Sequence, residues 1–291
     1  MNTKYIHYLV VIAVFLTMAV TVITCGEENN PSDSNTENNF TDTTGDTSGD
    51  TTGDTTGDTT GDTTGISTIA DHYAVARFDD LTSDDIDTVQ SGLNIFYGHT
   101  SHGSQIITGL NMLQDENSSL NPPPIHEISD DLGSAGDTTW VPPTRDYLDS
   151  HPECNTVVWS WCGGCSDNTV EGINAYLNAM NQLESDYPAV TFIYMTGHLD
   201  GTGVSGVLYA CNNQIRDYCA AHDKLLFDFA DIESYDPDGT YYPDASDDCA
   251  WAIDWCADHT CPECASCAHS HCFNCYLKGK AFWWLMAQIV D

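Results

Sequence analysis

The turn Gly98-His99-Thr100-Ser101-His102-Gly103 sets a primary hydroxyl between two imidazoles. It follows an apolar run over 93–97 and precedes a stretch over 105–113 with helical spacing. A strand that ends in a Gly-flanked turn and then opens a helix puts that hydroxyl beside free backbone N–H groups and a positive dipole end. A serine there could act as a nucleophile, because the same N–H groups can hold the oxyanion it generates. Ser101 is preferred to Thr100, which is more hindered, and to Ser104, which falls in the first helical turn. The plain alternative is a polar strand-to-helix loop with a capping Ser or Thr.

Other groups compete for roles around this hydroxyl. Near the far end of the chain, Cys267-Ala268-His269-Ser270-His271 offers two bases, His269 ahead of His271. His99 and His198 each close an apolar run and could hydrogen-bond a substrate or steady the nucleophile turn. With Asp200 they could instead hold a metal, since neutral imidazole and carboxylate suit Zn²⁺. The segment 228–238 is acidic enough for a Ca²⁺ loop, although a solvated acidic loop is the simpler reading. Trp140, Trp159, Trp161, Tyr241 and Tyr242 could stack on sugar rings, and those on strands belong more naturally to a core.

Five apolar runs with strand character, over 93–97, 125–129, 156–161, 190–195 and 224–229, alternate with helical patterns. The clearest helix runs over 170–187, with Ile173, Tyr176, Leu177, Met180 and Leu183 on one face. Others are expected over 212–221 and, as an aromatic closing helix, over 278–290. Alternation of this kind predicts a parallel sheet covered by helices on both faces. Sites in such sheets lie at the carboxyl ends of the strands, where the Gly-, His- and Ser-bearing turns fall.

These turns, in this order, resemble those of the SGNH (GDSL-like) hydrolases over residues 90–290. Gly98-His99-Thr100-Ser101 stands where members carry a Gly-Asp-Ser nucleophile turn. Ser134-Ala135-Gly136-Asp137-Thr138 resembles their second motif, and Gly163-Gly164-Cys165-Ser166-Asp167-Asn168 their third. His269 or His271 stands in place of the catalytic histidine before the last helix. The resemblance implies an α/β three-layer sandwich with a mostly parallel, flavodoxin-like sheet and a serine esterase activity. It implies Ser101 as nucleophile, a late histidine as base, and an oxyanion site involving Gly136 and the turn of Gly164 and Asn168. His99 replaces the family's Asp, and no Asp lies three residues before either late histidine. An acid from elsewhere, such as Asp258, or a backbone carbonyl would then orient the base.

The first 24 residues read as an export signal, and Val22-Ile23-Thr24-Cys25 resembles a bacterial lipobox with Cys25 as the lipidated residue. Residues 25–65, with their Gly-Asp-Thr-Thr repeats, read as a disordered acidic tether, which leaves 66–291 as the folded domain. Of the 13 cysteines, setting Cys25 apart leaves an even set between Cys154 and Cys275, as expected for disulfides in an exported protein. The run from Cys249 to Cys275 holds seven, so full pairing requires at least one bridge to the earlier set. A formal charge of −37, from 44 acidic and 7 basic residues, excludes nucleic acid and anionic membrane surfaces as partners. The sequence therefore predicts a monomeric, lipid-anchored hydrolase of the bacterial cell envelope, at the outer membrane or surface, acting on a small-molecule or glycan ester. No catalytic cofactor is expected, with room for a structural Ca²⁺ or Zn²⁺. The competing readings are a non-catalytic binding module on the same fold and a metal-dependent hydrolase built on His99, His198 and Asp200.

Overall fold

A computed structural model describes residues 68–290. The expected signal, the lipidation site Cys25 and the tether lie outside the described residues. Six strands form one sheet: β1 (Ile69–Ala70), β2 (Ile95–His99), β3 (Ile125–Ser129), β4 (Thr156–Trp159), β5 (Thr191–Met195) and β6 (Leu225–Phe227). Their order across the sheet is β1-β6-β5-β4-β2-β3, and every pairing is parallel. The five longer strands thus have the flavodoxin-like order, and the expected α/β three-layer architecture is present.

Parallel neighbours need a crossover, and the crossovers here are helical. Before β2 come α1 (His72–Arg77) and α2 (Ser83–Gly92), a region for which the sequence pattern predicts no element. Then follow α3 (Ser104–Glu116), α4 (Val141–Ser150), α5 (Val170–Asp186), α6 (Val207–Ala221), α7 (Phe229–Ser234), α8 (Trp251–Asp258) and α9 (Cys272–Ile289). β4 is buried along its whole length and β5 along all but its first residue, as strands covered on both faces must be. The edge strand β3 is largely exposed, with only Ile125 and Ile128 partly covered. Trp140, Trp159 and Trp161 are core residues.

Helix α5 begins where Thr169 accepts the Gly172 N–H, and its five expected apolar residues are all buried. Helix α9 starts six residues before the expected boundary, inside the cysteine run. It is buried on nearly every side, so it has little of the polar-apolar periodicity that marks an amphipathic helix.

The contact between α3 and α9 sets the geometry of everything that follows. A Cβ on Gly109 would lie 1.9 Å from the Cys275 carbonyl oxygen, and one on Gly279 would lie 2.4 Å from the Gly109 carbonyl carbon. The two backbones touch, which only glycine permits. Ser101 stands three residues before α3 and His269 three residues before α9, so this close crossing brings the two together.

Candidate active site

Ser101 lies in the turn between β2 and α3. The turn packs down onto the sheet because residue 103 is glycine: a Cβ there would meet Ser160 Oγ at 2.2 Å and His99 Cβ at 2.4 Å. The Tyr97 hydroxyl donates to the Gly103 carbonyl at 3.0 Å and fixes the turn from below. Ser104 Oγ donates to the Ser101 carbonyl at 2.6 Å. Among the described residues the Ser101 N–H has no protein acceptor, so it remains available as an oxyanion donor.

His269 Nε2 lies 2.9 Å from Ser101 Oγ, across 168 positions of sequence. His269 is exposed and has φ +59°, a conformation that histidine adopts more readily than most residues but that still needs support. The support is covalent and polar. Disulfides Cys264–Cys272 and Cys267–Cys275 tie the loop to the start of α9. Gln105 Nε2 donates to the Ala268 carbonyl at 2.6 Å, and Asn274 Nδ2 donates to Ser270 Oγ at 2.7 Å. His271, the other candidate base, caps α9 instead, its Nδ1 accepting the Phe273 N–H at 3.2 Å.

Beneath this loop is a buried polar floor. Lys278 and Glu233, both fully buried, pair at 2.6 Å, and Lys278 also donates to Gln105 Oε1. Glu233 Oε2 accepts the Leu199 N–H at 2.7 Å. One ion pair thus links the turn after β5, the start of α3 and helix α9. Burial lowers the Lys278 pKa and the charge of Glu233 opposes that shift. Lys278 Nζ also sits 3.7 Å from the Phe229 ring centroid, a favourable cation–π position.

The carboxylate beside these imidazoles is Asp247, which the sequence reading does not single out. An antiparallel bridge between Asp200 and Ser246 carries it to the ends of β2 and β5. Its Oδ2 accepts from His102 Nε2 at 2.9 Å. A carboxylate oxygen of Asp247 and ring nitrogens of His102 and His269 lie within 4.8 Å of one another. His102 stacks between His198 (3.6 Å between centroids, 2° between planes) and His269 (4.5 Å, 13°). Asp258 is exposed at the end of α8 and, among the described residues, makes no hydrogen bond to His269 or His271.

Hydrogen-bond partners assign the tautomers. His198 Nδ1 faces the Leu199 carbonyl at 2.8 Å and must carry a proton, leaving a bare lone pair on Nε2. His102 Nε2 faces a carboxylate and carries a proton, leaving Nδ1 bare. Both bare nitrogens are buried, without a hydrogen-bond partner among the described residues.

Burial lowers the His102 pKa, against the hydrogen bond to Asp247. Burial raises that of Asp247, but the His102 hydrogen bond and the neighbouring imidazole charges outweigh it, and the net shift is downward. Groups with depressed folded-state values contribute their stability above the unfolded-state pKa and lose it as pH falls through the folded value. The stability difference between wild type and His102→Gln is therefore expected to be largest above about pH 6.5 and to shrink on acidification, followed as Tm at several pH values. A difference that stays constant from pH 8 to 5 would show that His102 is not buried neutral.

The remaining expected site residues are placed differently. His99 Nε2 pairs with Glu127 Oε2 at 2.9 Å, and His99 lines the groove beside Ser101. Asp200 Oδ1 accepts from the Thr202 N–H and hydroxyl, and among the described residues the donor atoms that converge are those of His102, Asp247 and His269 rather than of His99, His198 and Asp200. Asn168 Nδ2 donates to the Gly164 carbonyl at 3.0 Å, which commits this amide to its own loop. Gly164 packs on the turn at Leu132–Ser134, whereas Gly136 packs against the start of α5 at Gly172. In the acidic segment, Asp228 pairs with Arg216 at 2.6 Å and Asp236 holds its own turn, which accounts for both without Ca²⁺.

Full cysteine pairing does not hold. The late run forms Cys256–Cys261, Cys264–Cys272 and Cys267–Cys275, while Cys154, Cys165, Cys211, Cys219 and Cys249 are buried free thiols. A buried thiol packs as a small apolar group, and burial pushes that of Cys219 up to about 12.

A groove of about 450 Å³ opens beside Ser101, lined by His99, Thr100, Ser104, Glu127, Ile128 and Ser129. No family model matches this sequence, and a search of curated proteins finds no match.

Proposed function

We propose that this protein is a serine ester hydrolase of SGNH-like type, acting outside the cytoplasm on small acyl esters, with O-acetylated glycans the favoured class. The observation that carries this reading is the 2.9 Å contact between His269 Nε2 and Ser101 Oγ. A neutral imidazole accepting a serine hydroxyl at this range is the geometry of a general base and its nucleophile.

In the reaction, His269 Nε2 takes the Ser101 proton as Oγ attacks the ester carbonyl. The tetrahedral oxyanion is held by the Ser101 N–H. His269 then protonates the leaving alcohol, and water, deprotonated by the same imidazole, releases the acid and restores Ser101. Asp247 stabilises the imidazolium formed in each half-reaction through its negative charge, within 4.8 Å of the ring. His102 donates to Asp247 and keeps that carboxylate ionised and oriented. The open groove of about 450 Å³ beside Ser101 has room for the acyl part of a small ester, and the preference for a glycan ester rests on the likeness to SGNH hydrolases. The disulfides Cys256–Cys261, Cys264–Cys272 and Cys267–Cys275 support an oxidising compartment, in keeping with the export signal read from the sequence.

Hydrolysis of p-nitrophenyl acetate by the full chain tests the reading. Ser101→Ala is expected to lower turnover by at least about 10³-fold. Turnover that survives this substitution would exclude Ser101 as the nucleophile.

A further inference from the structure

We propose that His102, Asp247 and His269 form a binding site for a zinc-class divalent cation, and that a bound cation silences Ser101. The silencing rests on the reading of His269 as the general base, whereas the cation site stands on its own geometry.

Two imidazoles and one carboxylate converge within 4.8 Å. This donor set selects Zn²⁺ and similar ions over Ca²⁺ or Mg²⁺, which prefer all-oxygen shells. Two ligands on one tetrahedral Zn²⁺ stand about 3.3 Å apart. His102 Nε2 and Asp247 Oδ2 are already 2.9 Å apart. His102 is 4 % exposed and fixed between its neighbours, whereas His269 is exposed, and a short shift of its ring closes the third bond. Three protein ligands leave a fourth position open, as in zinc sites that keep a water.

The unpartnered Nδ1 of His102 supplies a second, independent observation. A cation between His102 Nε2 and Asp247 takes the place of the Nε2 proton, which moves to Nδ1, the bare nitrogen of the same ring. No buried charge is added on the ring, and the cation meets one carboxylate and two neutral imidazoles. The chain's formal charge of −37 raises the local concentration of any divalent cation.

Coordination through either nitrogen of His269 removes the base. On Nε2 the cation displaces the Ser101 hydroxyl. On Nδ1 it fixes the remaining proton on Nε2, which then points at Ser101 Oγ as a donor and cannot accept. Cation binding and serine catalysis are therefore mutually exclusive.

The test uses Co²⁺ as a spectroscopic probe on the EDTA-treated full chain, with p-nitrophenyl acetate turnover followed in the same titration. One equivalent of Co²⁺ is expected to produce the visible absorption of a four-coordinate ion, while turnover falls in step and EDTA restores it. Ser101→Ala should keep the absorption band. His102→Gln should weaken Co²⁺ binding at least about tenfold, with Asp247→Asn as the second variant should the first fail to fold. The proposal is overturned by absence of the band in wild type, by a band indifferent to the folded variant, or by turnover that persists or rises at saturation. Metal-free protein without turnover would count against the esterase reading, and the spectroscopic titration would still decide the cation site.

Discussion

His269→Ala is expected to reduce ester turnover by at least about 10³-fold while leaving the fold intact. The magnitude follows from the role assigned to the ring: it takes the proton in both half-reactions, and no other imidazole reaches the hydroxyl. Among the described residues, Ser101 Oγ has only His269 and the Cys162 sulfur as side-chain partners. The fold should survive because His269 is exposed and its loop is held independently by Cys267–Cys275 and by the Gln105 bond to Ala268. His271→Ala is the control. That residue caps α9, so its loss should cost about 1 kcal/mol of stability and little chemistry. Rates on p-nitrophenyl acetate beside circular dichroism separate the two effects. Equal rate losses for the two variants would reverse the assignment of the base.

The largest expected effect on stability is at Lys278. Lys278→Met leaves Glu233 fully buried without its cation, a loss of about 3–5 kcal/mol. Against a total stability of about 5–15 kcal/mol, this brings the protein close to unfolding at moderate temperature. The second change Glu233→Gln removes the stranded charge and keeps an acceptor for the Leu199 N–H, so the double variant should recover part of the loss. Urea unfolding of both variants measures this. A loss below about 1 kcal/mol for Lys278→Met would show that water or another cation replaces the pair.

The sheet was legible because its strands are short apolar runs closed by Gly- and Ser-rich turns, a pattern that burial on both faces imposes on parallel strands. Ser101 was legible for the same reason, since a hydroxyl in a strand-to-helix turn stands out locally. Other parts of the site carry no local signal. Asp247 sits in Ser246-Asp247-Asp248, which cannot be told from the many acidic surface segments of this chain, and its role comes from a bridge between distant loops. His102 reads as one of two possible bases in the turn, and nothing local shows its stack with His198 and His269. Lys278 did leave a trace: it is one of only 7 basic residues and stands in a helix of aromatics, where an unpaired charge could not persist. The local Gly136-Asp137-Thr138 pattern does not disclose what its backbone packs against. Gly136 packs against α5, and Asn168 is committed to Gly164. The cysteine count did not translate into full pairing because buried thiols also serve as core volume, as Cys165, Cys211 and Cys219 do.

Covalent labelling tests the central claim most directly. The full chain would be treated with a fluorophosphonate and the modified peptide identified by mass spectrometry. A single adduct on Ser101, absent from His269→Ala, is the predicted result, since an unactivated serine does not react at a comparable rate. An adduct on another residue, or ester turnover undiminished in protein that takes up no label, would contradict the account.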